Sequence, residues 1–336
     1  MTTAALSHIT DAKHIVVVQA ENPDGDSLGS ALALEELLED QGKKVTLFCA
    51  IDIPKYLYYI NGWDRVVKDW PFDADAAIFV DVTSPLLLVK TFQLRGVNGF
   101  LESHPVVVID HHTEGEKQFQ FDHTTLINDK AVSTSEIIYQ LAVEAGWNIT
   151  PAAAEQLFIA LQSDSLGLTT PNTSATSYKV AAELVAIGAN PSEIENRRRE
   201  FMKKPANILE YKGRLIERIE YHLDGTLALV HIPWEEIQEY SDAYNPSVLV
   251  IEEMRLVDTV KVAVAIKTYP DGKLTGKVRG NLPIAHEVAG FFGGGGHAYS
   301  AGFKVYESYD TILSELVKAT DKAVQSYEST LPQPTL

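Results

Sequence analysis

Four short apolar runs in the first third of the chain restrict its fold more than any other feature. HIVVVQA (14–20), VTLFCA (45–50), AAIFVDV (76–82) and VVVID (106–110) are rich in β-branched residues and show almost no polar alternation. A strand that is apolar on both faces must be covered on both faces, which is the mark of a parallel sheet between helices. Helical periodicity lies between and beyond these runs, over Leu28 to Leu38 and across 133–146, 151–163 and 174–187. Such alternation predicts an α/β domain with right-handed crossovers and helices on both sheet faces. No run approaches the roughly 20 residues needed to span a bilayer. The segment MTTAALSHITDAKH lacks the apolar core of a secretory signal. The expectation is a cytoplasmic protein with no membrane partner.

A boundary is predicted in GANPSEIENRRREFMKKP, which joins a helix-ending glycine, two prolines and a run of charge. Residues 1–188 would be the first domain, 189–206 a linker, 207–328 a smaller α/β domain and 329–336 a disordered tail. The second domain reads as a helix (207–221), the strand TLALVHI, a helix near 234–241, and the strand pair VKVAVAIKTY and KLTGKVRG across a PDG turn. A short helix (284–292), a glycine run, a strand and a helix (308–327) follow. The single cysteine, Cys49, falls in a predicted strand and reads as a small buried hydrophobe.

With 46 acidic against 28 basic residues the net charge is −18, which repels polyanions at long range and excludes a broad footprint on duplex nucleic acid. A small anionic ligand would need a local reversal of field, which divalent cations caged by carboxylates would supply.

The residues for such a cage occur at one kind of place, the carboxyl ends of the strands, where open α/β sheets bind ligands. Asp24 and Asp26 follow the first run in NPDGDS, Asp81 ends the third, Asp110-His111-His112 ends the fourth, and Asp164 closes the helix that begins at Pro151. Singly, each acid has a plain reading: Asp26 as the cap of a helix over 27–39, Asp81 as the cap of one over 84–91, Asp164 as a helix end. Together they offer the ligands that Mn²⁺, Mg²⁺ or Zn²⁺ accept. Two such ions about 3.5–4 Å apart activate water and clamp phosphoryl oxygens. In the second half, the glycines Gly293 to Gly296 before His297 let backbone amides approach a phosphate. Arg279, ending a strand, is a candidate phosphate fork. Arg197, Arg198, Arg199, Lys203 and Lys204 read either as a solvated helix face or as attraction for the rest of an anion. NPDGDS in place of GxGxxG speaks against a dinucleotide-binding oxidoreductase.

NPDGDSLGS, the strand-end Asp81, IDHH, AVSTSEIIYQL, LQSDSLGL and GGGGHAYSAG, spread over residues 13–325, together resemble the DHH/DHHA1 phosphoesterases. Within them the pattern is similar to the short-oligonucleotide RNases and 3′-phosphoadenosine-5′-phosphate phosphatases, with cyclic-di-AMP phosphodiesterases nearby. The resemblance implies two Mn²⁺ ions, with Mg²⁺ as the alternative, and hydrolysis of small nucleotides or short single-stranded oligonucleotides. It implies Asp24 and Asp81 on one ion, and Asp26, Asp81, His111 and Asp164 on the other, with Asp81 bridging. His112 would meet the substrate phosphate or assist proton transfer. Arg279, Gly294, Gly295, Gly296 and His297 would grip the nucleotide. Family likeness alone suggests a homodimer.

Two positions depart from the pattern. Ala20 stands where that branch has histidine, four residues before the first Asp, so the first ion site would be weakened. Glu21, or less readily Gln19, is the candidate substitute, although strand alternation points Glu21 elsewhere. The arginine strand reads KVRG where the family has serine on both sides of the arginine. Two alternatives to the RNase/phosphatase activity follow: a cyclic-di-AMP phosphodiesterase, or a nucleotide-binding module whose catalysis is impaired by Ala20. Polyphosphate or pyrophosphate is a weaker third substrate class.

Overall fold

The structure, a computed structural model, describes residues 2–112, 119–241, 244–296 and 298–330. The chain divides into two compact units, Met1–Lys203 and Lys204–Leu336.

The first unit is built on five parallel strands: β1 (His14–Gln19), β2 (Lys44–Phe48), β3 (Ala76–Val80), β4 (Val106–Asp110) and β5 (Thr124–Ile127). Their order is β2-β1-β3-β4-β5. The four apolar runs supply the first four strands, and the reason for their two-sided apolarity is visible in the packing. Ile15, Val17, Ile78, Val80, Val107 and Ile109 lie beneath Leu28, Leu32, Ile138, Leu157 and Leu161 of the helices Gly25–Glu39, Thr134–Ala145 and Pro151–Asp164. On the other face Val16, Val18, Phe79 and Val108 pack against Val97, Phe100 and Leu101 of the helix Val97–Ser103. Each fully buried side chain of this kind contributes about 1.5–3 kcal/mol. Because all five strands run the same way, β1, β3 and β4 deliver NPDGD, Asp81 and Asp110-His111-His112 to a single edge.

Two elements carry no clear signal: the helix Thr2–Asp11, and β5, whose TTLI is short and only half-buried. Much of the segment expected as a linker is helical. Pro191–Phe201 starts from Asn190, whose side chain accepts the Ser192 and Glu193 amides, and Ile194 is buried in the first unit's core. No helix among the described residues is long and apolar enough to cross a membrane.

The second unit holds a six-stranded mixed sheet of β6 (Glu220–His222), β7 (Leu227–Ile232), β8 (Val262–Thr268), β9 (Leu274–Gly280), β10 (Gly295–Gly296) and β11 (Ser300–Val305). The order is β10-β11-β9-β8-β7-β6, with only β7 and β8 parallel. The helix Pro246–Arg255 lies on the crossover between those two. Its PSVLVI opening is too β-branched to show helical spacing, but Pro246 at the first position and the Asn245 cap start a helix there. The last helix, Tyr309–Thr330, extends into the expected tail, and residues 331–336 lie outside the described ones.

Candidate metal centre

At the strand edge of the first unit, His111 is the hub. Its Nε2 lies 3.0 Å from Asp164 Oδ2, 3.6 Å from Asp81 Oδ1 and 3.8 Å from Asp26 Oδ2. Nε2 is buried without a well-formed hydrogen bond. Ligating atoms of Asp26, His111 and Asp164 all lie within 4.8 Å of one another, and so do those of Asp81, Asp110, His111 and His112. An ion with bonds of about 2.1 Å spaces its ligands by roughly 3–4 Å, so the donors present fit a divalent cation.

The scaffold fixes each donor. Asp26 is fully buried; its carboxylate accepts the Thr134 amide at 2.7 Å, the Ser135 amide at 3.3 Å and the Ser30 hydroxyl at 3.1 Å. The same Thr134 gives its hydroxyl to Asp81 Oδ1 at 3.1 Å. The first turn of the helix Thr134–Ala145 therefore orients both acids, a role that sequence reasoning missed although AVSTSEIIYQL was noted. Asp81 sits in the left-handed region at φ 58, a conformation that Asp adopts more readily than most residues and that often marks functional sites. Asp164 ends its helix before a turn in which Leu166 and Leu168 also have positive φ.

Burial pushes the carboxyl of Asp26 well above the usual carboxylate range, and the neighbouring Asp164 and Asp24 add to it. Asp81 is raised in the same way by burial, then by Asp26, Asp24 and Asp164. Burial opposes protonation of His111, but Asp164 and Asp110 outweigh it and leave the imidazole raised. Acids crowded like this need protons or a cation.

Asp110, expected only as one of the acids offered to a metal, also has an orienting role. It is fully buried, and its Oδ1 accepts both the His112 amide at 2.9 Å and His112 Nδ1–H at 2.8 Å. That bond places the His112 proton on Nδ1 and frees Nε2 on a side chain that is 50% exposed.

Three expectations change. The helix cap in NPDGDS is Asp24, not Asp26: Asp24 Oδ1 accepts the amides of Asp26 and Ser27 at 3.0 Å each, and the helix begins at Gly25. Asp24 belongs to neither ligand cluster, although Asp164 and His112 act on it electrostatically. Asp81 caps no helix; Ser84 accepts the amide that opens the next short turn. Glu21, the candidate substitute for histidine, joins neither ligand cluster; its Oε1 accepts the Thr91 amide at 2.8 Å and hydroxyl at 3.2 Å. Ala20 is 4% exposed among Phe48, Phe79 and Val82, and the buried Gln19 amide has no hydrogen-bond partner among the described residues. Cys49, just past β2, is free and buried.

Arginines 197–199 are mostly tied to the first unit. Arg197 bonds the Tyr59 carbonyl and Glu155, and Arg198 and Arg199 share Glu195. In the second unit Arg279 lies on β9. The glycines have a packing reason: a Cβ at Gly294 or Gly296 would collide with the backbone of β11, whereas one at Gly295 would meet nothing. His297 lies outside the described residues.

Residues 14–161, which hold this sheet and the acids and imidazoles at its carboxyl edge, match the model of the DHH family, N-terminal domain. Among curated proteins the chain is similar to the bifunctional oligoribonuclease and PAP phosphatase NrnA of Thermus thermophilus, 25% identical over 319 residues that span 92% of this chain and 91% of that protein. It is also 24% identical to the cyclic-di-AMP phosphodiesterase PdeA of Listeria monocytogenes, across 95% of this chain but 48% of that one. An exopolyphosphatase-related protein from Bacteroides fragilis shares the fold with a TM-score of 0.83 at 21% identity, covering 98% of this chain and 96% of its own.

Proposed function

We propose that this chain is a divalent-metal-dependent phosphoesterase that hydrolyses small nucleotides or short single-stranded oligonucleotides. The observation that carries the reading is the convergence of Asp26, Asp81 and Asp164 on His111 Nε2 within 3.8 Å. These four residues would hold one ion, and Asp81 with Asp24 a second, weaker one. Bound cations would supply charge neutralisation at the phosphoryl oxygens and a lowered pKa for water. The chain's own contribution is placement. Thr134 sets the carboxylates, and Asp110 binds His112 at Nδ1–H and favours the doubly protonated ring, whose Nε2–H would meet a phosphoryl oxygen or give its proton to the leaving oxygen. The oligoribonuclease and PAP phosphatase relative, matched over nearly its whole length, supports a nucleotide as the ester.

The Listeria relative favours a second reading on the same metal centre, cleavage of cyclic-di-AMP. Turnover of a dinucleotide, PAP, cyclic-di-AMP and polyphosphate by manganese-loaded protein separates these readings. Hydrolysis of none of them, with nucleotides still bound, would leave a binding module in place of an enzyme.

A further inference from the structure

A cavity of about 620 Å³ lies wholly within the first unit, in the size range of small-molecule sites, and Asp24 belongs to its wall. Gly25 and Ser163 continue that wall, so close together that a Cβ on Gly25 would lie 2.4 Å from Ser163 Oγ. The helix Pro191–Phe201 supplies Ile194, Glu195 and Arg198. Most of the rest is apolar or aromatic, from Tyr56, Tyr59, Ile159, Leu166 and Met202, with Gln162 as the one carboxamide.

The charges on this wall select against a second anion. Arg198, the one cation among the lining residues, gives Nε and Nη2 to Glu195 at 2.7 and 3.0 Å, and Glu195 also accepts Arg199 Nε at 2.6 Å. A phosphate placed here would meet Asp24 and an arginine already paired. A neutral ring system suits the wall better, with carbon surface for its faces and the Gln162 amide and Ser163 hydroxyl for the heteroatoms at its edge.

Two lining side chains stand exposed. Tyr56 is 50% exposed, and its hydroxyl donates to the Pro23 carbonyl at 3.1 Å, which ties the ring to NPDGDS. Leu166 is 72% exposed at φ 48, in the left-handed region that a Cβ makes costly. Leu168, at φ 65, offsets the same cost by packing against the first unit's core. Among the described residues Leu166 joins no core cluster. A strained and exposed leucine two residues beyond Asp164 is accounted for if a bound ring covers it.

We propose that this cavity holds the base of a nucleoside whose phosphate lies at the acid cluster, with Tyr56 and Leu166 as its apolar contacts. The first unit by itself then selects nucleoside esters over sugar phosphates, pyrophosphate and polyphosphate, which have no base to bury. This rests on the phosphoesterase reading and names the substrate class that the same site takes.

The test is calorimetric binding to the full chain loaded with manganese. The probes are the phosphonate analogues of adenosine 5′-monophosphate and ribose 5-phosphate, whose C–P bonds resist hydrolysis. The adenosine compound is expected to bind about ten- to a hundredfold more tightly, the range that one stacked base gives. Tyr56→Ala and Leu166→Asn should each reduce that ratio by roughly fivefold or more, while affinity for the ribose compound and the melting temperature stay as in the parent. Asparagine tolerates the left-handed backbone, so Leu166→Asn removes the apolar contact without disturbing the turn, and Leu166→Met should keep the preference. A parent chain without preference, or a preference that survives both substitutions, overturns the proposal, the second by showing that the base is read elsewhere. So does an equal loss for both compounds, which would mark a damaged phosphate site. Preference without hydrolysis of any ester would sink the phosphoesterase reading alone; hydrolysis without preference would sink this inference alone.

Discussion

Asp110 shows how one buried residue can act through another. It lies behind the half-exposed His112 and fixes both its backbone amide and its Nδ1–H. Asp110→Asn should lower kcat about 10–100-fold, the usual cost of losing such an orienting partner, with little change in KM or melting temperature. An equal loss in KM would assign Asp110 to substrate binding. Ala20 poses the opposite question, a methyl group where the family resemblance implies a ligating histidine. Ala20→His should raise the manganese content of the purified chain or its turnover, with both measured against the parent protein. If neither moves, the account of a first site weakened by Ala20 fails. Glu21 joins neither ligand cluster, and its Oε1 is bonded to Thr91.

Two helices hold the acids at their working separation. Gly25–Glu39 carries Asp26, and Pro151–Asp164 carries Asp164. They cross closely at Gly29, where a Cβ would lie 2.8 Å from the Gln156 carbonyl and 2.9 Å from Ala160 Cβ. Gly29→Val should force them apart, destabilise the chain by about 1–3 kcal/mol, and weaken manganese binding, as read by denaturant melts and metal titration. Normal metal affinity in a destabilised variant would show that this crossing does not set the site. In the second unit the helix Trp234–Tyr240 is tied by Glu236 to Arg218 and to the Tyr211 hydroxyl at 2.6 Å. Burial alone would raise the Glu236 carboxyl, but the Arg218 and Tyr211 hydrogen bonds outweigh it and hold it below its ordinary 4.5. A depressed carboxyl stabilises the fold above its ordinary value and loses that contribution as pH falls through the depressed one. The stability gap between the parent and Glu236→Gln should therefore be full at neutral pH and shrink below about pH 4.5. A gap that stays constant into acid would rule out the ion pair as its source.

The molecule as a whole has two units with separate cores, and among the described residues only the first holds such a cluster of ligating side chains. A cation that binds only the folded chain adds about 2.7 kcal/mol at a hundredfold excess over its Kd. Calorimetry should thus show manganese raising, and EDTA lowering, the melting of the first unit while the second keeps its own. A single transition insensitive to manganese would contradict a metal centre of this kind. What the sequence determined alone is the parallel sheet and the address of its chemistry. Two-sided apolar runs can be satisfied only between helices, and parallel strands bring their carboxyl ends, with Asp81 and His111 attached, to one edge. Tertiary structure decided the rest, because it depends on register and neighbours. The same NPDGDS acids could cap or ligate until the fold made Asp24 the cap and turned Asp26 inward. Thr134, remote in sequence, reaches both Asp26 and Asp81 only after the sheet has formed.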